Sequence, residues 1–450
     1  MRVAFDGTPT DVTETHADHA LAVGPRSITL VGNSQVTIRE KSGALVASTP
    51  VSQFFDPVRL RGENVGDPWM TFDPDSGRFF YVADGSLGNG HTTICSVGEC
   101  VAHHLLAVSK SDDPRSLSTA DWHLYALDRT ILRTATGTVA TATWGDYDHI
   151  VVGNESVLIK WPAYAFGVAS GAPGQSQGVR VRLIAKSALI AGAPVNDWTD
   201  LQLRDPRDGS LWVAPVEPAI GSGKGGPFYL LGMRGCGVVV WAIQDRTTAP
   251  DPLTREVAAG GSCGSLPAGA PQPGTDPPID IVTFGHNVVY RSGTLWYAHV
   301  AGRDLGGGLV STIRVLGVDV SRWPDAPTMA QDWIYGEPGS WVLAPALMID
   351  GSGDVVIVFG RTSPTEFASL YYTYRTPADA PGTLHPPRLL HAGDGLWAQF
   401  SPVTGSRNRF IDFFVAQLDP VDGTVWAFGA FVGAGGRRGT WVADVSLGPS

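Results

Sequence analysis

Short apolar runs broken by Gly, Asp, Asn or Pro follow one another along the whole chain. Such runs, closed by turn residues, are the sequence pattern of strands and hairpins. The clearest example is Gly66-Asp67-Pro68-Trp69-Met70-Thr71-Phe72-Asp73-Pro74-Asp75-Ser76-Gly77-Arg78-Phe79-Phe80, which continues into Tyr81-Val82-Ala83. An acidic residue opens a short strand, an Asp/Gly turn closes it, and an aromatic strand returns. The same order recurs from Asp146 through Val151-Val152-Gly153-Asn154 into Val157-Leu158-Ile159. It recurs again from Asp412 through Asp422-Gly423 into Val425-Trp426-Ala427-Phe428. Weaker copies open at Asp18, Glu217, His286 and Ala344.

Seven copies spaced about 66 residues apart make repetition the first constraint on the fold. Each unit carries further strand-like sequence, for example His104-Leu105-Leu106-Ala107-Val108 and Asp121-Trp122-His123-Leu124-Tyr125 after Tyr81. Four strands per unit and seven units predict an all-β, seven-bladed β-propeller with four-stranded blades. A β-helix would need shorter repeats, and stacked sandwiches would not give seven hairpins in one register. The inner strands start near residues 18, 67, 146, 217, 286, 344 and 412, within a single domain spanning 1–450. A fourth strand is hard to place in the Gly/Pro-rich stretch after Asp245. The last unit runs out of chain after Val445, so Arg2-Val3-Ala4-Phe5 is expected to add its outer strand and close the ring.

Composition agrees with this reading. The chain has 450 residues, 43% of them hydrophobic, and its 55 Gly and 33 Pro suit a fold with dozens of turns. The formal net charge of -11 and the lack of a Lys/Arg cluster argue against nucleic-acid binding. No apolar run approaches the roughly 20 residues of a membrane helix. Met1-Arg2-Val3-Ala4-Phe5-Asp6-Gly7 has no signal-peptide hydrophobic region, so the protein is either cytoplasmic or a mature form starting with a replacement Met. The four cysteines favour export. Cys95–Cys100 would pin a tight loop and Cys236–Cys263 the longest irregular insertion, and such bonds persist in oxidising compartments. The alternatives are free thiols or a zinc site on Cys95, Cys100, His103 and His104. That spacing fits no common zinc module, and adjacent histidines face opposite sides of a strand. Asn154-Glu155-Ser156 is a glycosylation sequon of a kind common by chance.

The residues opening the inner strands are Asp18, Asp67, Asp146, Glu217, His286, Ala344 and Asp412. In a propeller these positions share one channel mouth, so five carboxylates would meet there. Crowded carboxylates raise one another's pKa or take up a cation. Oxygen ligands from Asp67, Asp146 and Asp412 suit Ca²⁺. Asp at a strand start also caps its own turn, and that structural role competes with the functional one. The insertions 84–103, 165–178 and 247–276 are expected to rise around the same mouth. Trp69 and Arg409 are candidate ligand contacts beside Asp18, Asp67, Asp146, Glu217 and Asp412. His149, His286 and Tyr147 are candidate catalytic groups. With 14 Trp the chain could stack sugars, although most of them sit in strand sequence and suit packing.

Several signatures are missing: a Gly-x-Ser-x-Gly elbow, His-Glu-x-x-His, a P-loop, a dinucleotide fingerprint, and WD or kelch repeats. Asp73-x-Asp75-x-Gly77-x-Phe79-Phe80 has the spacing of a sialidase Asp box without its Ser/Thr or Trp, which points to shared turn mechanics.

The Gly66-Asp67-Pro68 unit, the run Leu106-Ala107-Val108-Ser109-Lys110-Ser111-Asp112-Asp113-Pro114 and the closing Gly439-Thr440-Trp441-Val442 resemble secreted bacterial seven-bladed propellers of mostly unassigned function, with a distant sialidase- or lectin-like likeness. The resemblance implies a propeller in an extracellular setting and supplies no catalytic residues. Two functions follow as expectations. The first is a secreted or cell-surface monomer that binds a glycan or other extracellular ligand at the channel mouth. The second is an extracellular polysaccharide lyase or glycoside hydrolase, with His149 or His286 as base and Tyr147 as acid.

Overall fold

The computed structural model describes residues 2–7, 18–259, 263–274, 277–282, 285–400, 408–445 and 447. Among them are 31 strands and two five-residue helices, Val51–Phe55 and Lys186–Ile190. The chain is therefore nearly all β, and its strands form consecutive antiparallel meanders.

The first meander holds Ala20–Val23, Ser27–Val31, Gln35–Glu40 and Leu45–Pro50. The second holds Glu63–Asp73, Arg78–Leu87, Ala102–Ser109 and Trp122–Asp128. In the third, Thr143–Gly145 and His149–Val152 both pair with Ser156–Ala165, followed by Ser176–Ala185 and Thr199–Gln202. The fourth runs Val216–Ile220, Phe228–Arg234, Gly237–Ile243 and Leu253–Val257, and the fifth Val288–Arg291, Thr294–Asp304, Leu309–Asp319 and Thr328–Tyr335. These two are joined into one eight-stranded sheet by the parallel pairs Ala219–Val288 and Ile220–Val289. The sixth holds Trp341–Ile349, Val355–Ser363, Glu366–Arg375 and Arg388–His391. The last joins Val415–Leu418, Val425–Gly433 and Arg437–Val445 to Ala4–Asp6, in the register Ala4–Ala443, Phe5–Val442 and Asp6–Trp441.

Turn chemistry explains where the strands reverse. Asp73 Oδ2 accepts from the Ser76 N–H and hydroxyl, and Gly77 (φ 62°) takes the left-handed position that an L side chain resists. Asp419 accepts from the Val421 N–H, and Gly423 (φ 72°) plays the part of Gly77 in the last meander. The first strands Ala20–Val23 and His149–Val152 are buried along their whole length, as strands covered on both faces must be. The first strand of each meander lies against that of the next, and Val415–Leu418 lies against Ala20–Val23. Between the meanders the core is aliphatic and aromatic. One cluster joins Leu21, Trp69, Phe80, Ile150, Phe413 and Trp426 from four of them. Trp122, Trp161, Trp241 and Trp426 are fully buried. Truncating any one of them to Ala would cost about 3–5 kcal/mol.

The inner strands are irregular at the positions singled out by sequence. The pairing slips between Gly66 and Trp69 and between Leu343 and Ala346. Asp67 (φ 46°), Tyr147 (φ 28°) and Ala344 (φ 44°) adopt left-handed backbone there. Each such conformation costs about 1–3 kcal/mol and turns a side chain out of the pleat's alternation.

Both disulfides expected from sequence are present, Cys95–Cys100 and Cys236–Cys263. The first pins the loop between Arg78–Leu87 and Ala102–Ser109. That loop meets the 166–175 loop, where the Gly167 N–H donates to Gly90 O (2.9 Å) and Phe166 packs on Cys100. The insertion at 247–276 contains the strand Leu253–Val257; its residues 260–262 and 275–276 lie outside the described residues.

Candidate functional site

The start of the inner strands encloses a cavity of about 280 Å³. Four aspartates line it: Asp18, Asp67, Asp146 and Asp412. Tyr147, Tyr164, His286 and Arg409 complete its polar wall, with Phe413 and Pro215 beside them. Trp144 lies tilted against Tyr164, at 5.2 Å between rings, and His91 packs edge-on against Trp144. The disulfide-pinned loop thereby braces one side of the cavity.

The four carboxyls are held differently. Asn33 Nδ2 donates to Asp18 Oδ2 (2.7 Å), and Asn33 Oδ1 accepts from the Asp67 N–H (3.1 Å). Asp67 Oδ2 accepts from the Tyr147 N–H (3.2 Å). Burial is the largest cause pushing the Asp18 pKa well up, and the charges of Asp67 and Asp412 add to it. The Asp146 pKa is also well up, first by burial and then by the charge of Asp67 and a hydrogen bond with it. Asp67 thus stands between two carboxyls whose pKa values are raised. Behind them the Asp84 carboxyl is raised by burial and by Asp67, with Arg129 opposing. Asp412 is bound by Arg409, through Nε to Oδ1 (3.2 Å) and Nη2 to Oδ2. The cavity therefore sets two carboxyls of raised pKa beside an arginine-bound one.

Beneath the cavity lies a second buried cluster. His149 Nδ1 touches Glu217 Oε2 at 2.5 Å, Lys160 Nζ stands 3.4 Å from the same oxygen, and His286 Nδ1 lies 3.6 Å from Oε1. None of these contacts has hydrogen-bond alignment, and both Glu217 oxygens, His149 Nε2 and Lys160 Nζ lack a hydrogen-bond partner. The Lys160 ammonium sits 4.2 Å from the centre of the Tyr147 ring. Burial dominates the protonation of all these groups. It lowers the His149 pKa far below its ordinary value and His286 to about 3, so both imidazoles are neutral. It lowers Lys160 against the opposing pull of Glu217, raises Glu217 against the pull of Lys160, and keeps the Tyr147 phenol protonated.

One run of sequence serves both clusters. Asp146 faces the cavity, and Tyr147 lines it with its ring over Lys160. Asp148 is buried on His104 Nδ1 (2.7 Å) and Arg129 (3.3 Å), and His149 meets Glu217. Burial opposes the ionisation of Asp148, but Arg129 and His104 outweigh it and hold its pKa down.

Asp18, Asp67, Asp146, Asp412, Arg409, Tyr147 and His286 thus line one cavity. Glu217, His149 and Trp69 stand apart from that wall. Glu217 pairs with Leu231 within its strand instead of preceding it, which drops its carboxyl below the mouth. Trp69 is 2% exposed and stacks on His149 at 3.9 Å, so it supports the floor of the cavity. Lys160, Asn33 and Asp84 were not singled out. Lys160 did carry a signal, as a lone ammonium in the apolar run Val157-Leu158-Ile159-Lys160-Trp161.

No family model and no curated protein matches the chain. Solved structures do. Trypanosoma rangeli sialidase in complex with sialic acid is 12% identical with a TM-score of 0.41, covering 95% of this chain and 60% of that one. The chain therefore spans about three fifths of the sialidase's length. Pseudomonas aeruginosa periplasmic gluconolactonase is 11% identical with a TM-score of 0.41, covering 83% of this chain and 86% of that one. Penicillium chrysogenum alpha-L-arabinanase complexed with arabinobiose is 14% identical with a TM-score of 0.34, covering 70% and 92%. All three are similar to this chain at 11–14% identity. At TM-scores below 0.5 none of them carries a functional assignment.

Proposed function

We propose that the chain is an exported, monomeric, seven-bladed β-propeller whose channel-mouth cavity binds a glycan. The run of contacts from one inner strand to the next, returning from Val415–Leu418 to Ala20–Val23, supports a closed ring. The pairing of Ala4–Asp6 with Arg437–Val445 supports closure by the N-terminal strand, and the two disulfides support export. The observation that carries the ligand assignment is the cavity itself. Its acid and carboxylate oxygens, two phenols and one guanidinium converge on a volume at the small end of ligand sites. Sugar hydroxyls both donate and accept, and this wall answers both roles. A glycan array followed by calorimetry tests the reading. Saturable binding that falls at least about tenfold in Asp67→Asn, with unchanged melting temperature, is the expected result. An array with no bound glycan would overturn it.

A second reading, a glycoside hydrolase or polysaccharide lyase, is favoured by the raised pKa of Asp18 and Asp146 on the cavity wall. A carboxyl whose pKa is raised by burial can serve as the general acid that cleavage of a glycosidic bond needs. His286 and Tyr147 line the wall as candidate base and acid, and a bound substrate would have to offset the burial that lowers the first pKa and raises the second. Release of reducing ends or of unsaturated uronate products from a bound polysaccharide separates the enzyme from the lectin. The same ring would accept Ca²⁺ on Asp67, Asp146 and Asp412, the ion taking over the role of the shared protons.

A further inference from the structure

We infer that the buried cluster below the cavity, His149, Glu217 and His286, is a binding site for a divalent transition-metal ion of the zinc class. The inference does not depend on the glycan reading. The donor atoms of the three side chains lie within 4.8 Å of one another, and the residues are 2%, 2% and 3% exposed. Two imidazoles and one carboxylate are a donor set that zinc accepts while keeping a fourth position open. Bonds of about 2.1 Å at tetrahedral angles place ligand atoms about 3.4 Å apart. The His286–Glu217 separation of 3.6 Å is close to that spacing. The 2.5 Å approach of His149 Nδ1 to Glu217 opens by about an ångström when an ion enters between them.

The second support is the cost of the site as it stands. Glu217 holds both of its oxygens away from water without a hydrogen bond. Buried polar atoms are rarely left so, and an ion would satisfy them together. Lys160 is the resident cation, but at 3.4 Å and without hydrogen-bond alignment it leaves the carboxylate incompletely matched. An entrance exists, because His286 also lines the cavity above. The nitrogen donors separate this site from the aspartate ring. Imidazole suits zinc and its neighbours, whereas oxygen ligands alone suit calcium.

The test begins with chelator-stripped full-length protein titrated with ZnCl₂, followed by elemental analysis after gel filtration. About one zinc per chain is expected. Affinity should fall in His286→Ala and in Glu217→Gln by more than the roughly 10- to 100-fold that loss of an outer-shell partner costs. Asp146→Asn, on the ring above, should bind zinc as the parent does. Because Glu217→Gln can disturb folding, X-ray absorption at the zinc edge of the unmutated protein gives an independent reading. Two imidazole nitrogens with a carboxylate oxygen would confirm the site. No zinc uptake, an all-oxygen shell, or parental affinity in both ligand variants would overturn it.

Discussion

Asp73, buried, and Asp146, half-buried, lie on or beside inner strands, at opposite ends of those strands. Asp73 lies between two ammonium groups, Lys186 at 2.6 Å and Lys224 at 2.5 Å. Burial opposes its ionisation, and the two lysines more than offset that, so its pKa is held down. For Asp146, burial comes first, and the neighbouring carboxyls of Asp67, Asp84 and Asp18 raise its pKa further. A cavity of about 330 Å³ lies at the Asp73 end too, but Phe72, Ile150, Ile220 and Met348 make its wall largely apolar. A balanced buried charge holds strands together. An unbalanced cluster persists against its own repulsion, and such clusters mark sites that handle protons, cations or polar ligands.

The largest effect that would break this comparison is on stability. Asp73→Ala should cost about 3–5 kcal/mol, because it strands two lysines, one of them buried. Asp146→Asn should be neutral or stabilising, since it removes a carboxyl whose ionisation burial, and then its neighbours, already oppose. Urea unfolding of the two variants checks this, and equal losses would erase the distinction.

A smaller effect is the pH dependence. The folded Asp18 and Asp146 lie above their unfolded value of about 3.9, so their favourable contribution is full below that pH. It is lost as pH rises from about 4 through their folded pKa values. Asp73 behaves in the opposite way: its contribution is present above about 4 and disappears as pH falls through its lowered pKa. Asp18→Asn together with Asp146→Asn should flatten the first slope and leave the second intact; a parent curve with no first slope would remove the argument.

Calcium gives a third measurement. If the ring takes Ca²⁺, melting temperature rises on adding it, and Asp67→Ala and Asp412→Ala lose that rise while matching the parent in chelator. Equal losses in both conditions would leave the aspartates as strand caps. The smallest effect is at the balanced end. Lys224→Ala should cost only about 0.5–1 kcal/mol, because Lys186 remains on Asp73.

Sequence made the meanders legible because Asp/Gly turns and apolar runs are local signals. Asp18, Asp67, Asp146, His286 and Asp412 could be grouped because each precedes or breaks an inner strand. Leu253–Val257 was harder to place, since its Leu-Thr-Arg-Glu-Val sequence is that of an exposed edge strand and its place is set by the neighbouring strand. Asn33 joins the site through its bond to the Asp67 N–H of the next meander, for which a single sequence carries no spacing, whereas Asp84 lies opposite Gly66 within its own meander. The depth of Glu217 depends on strand register, and one residue of register decides whether a side chain meets the cavity or the floor.

The run Asp146-Tyr147-Asp148-His149 gives four consecutive side chains four separate partners: the cavity, Lys160, the His104–Arg129 pair and Glu217. Its length is therefore as constrained as its composition. Inserting or deleting a single residue between Gly145 and Ile150 would hand every partner the wrong group at once. Among relatives of this chain, this segment should accept substitutions long before it accepts a change in the number of residues.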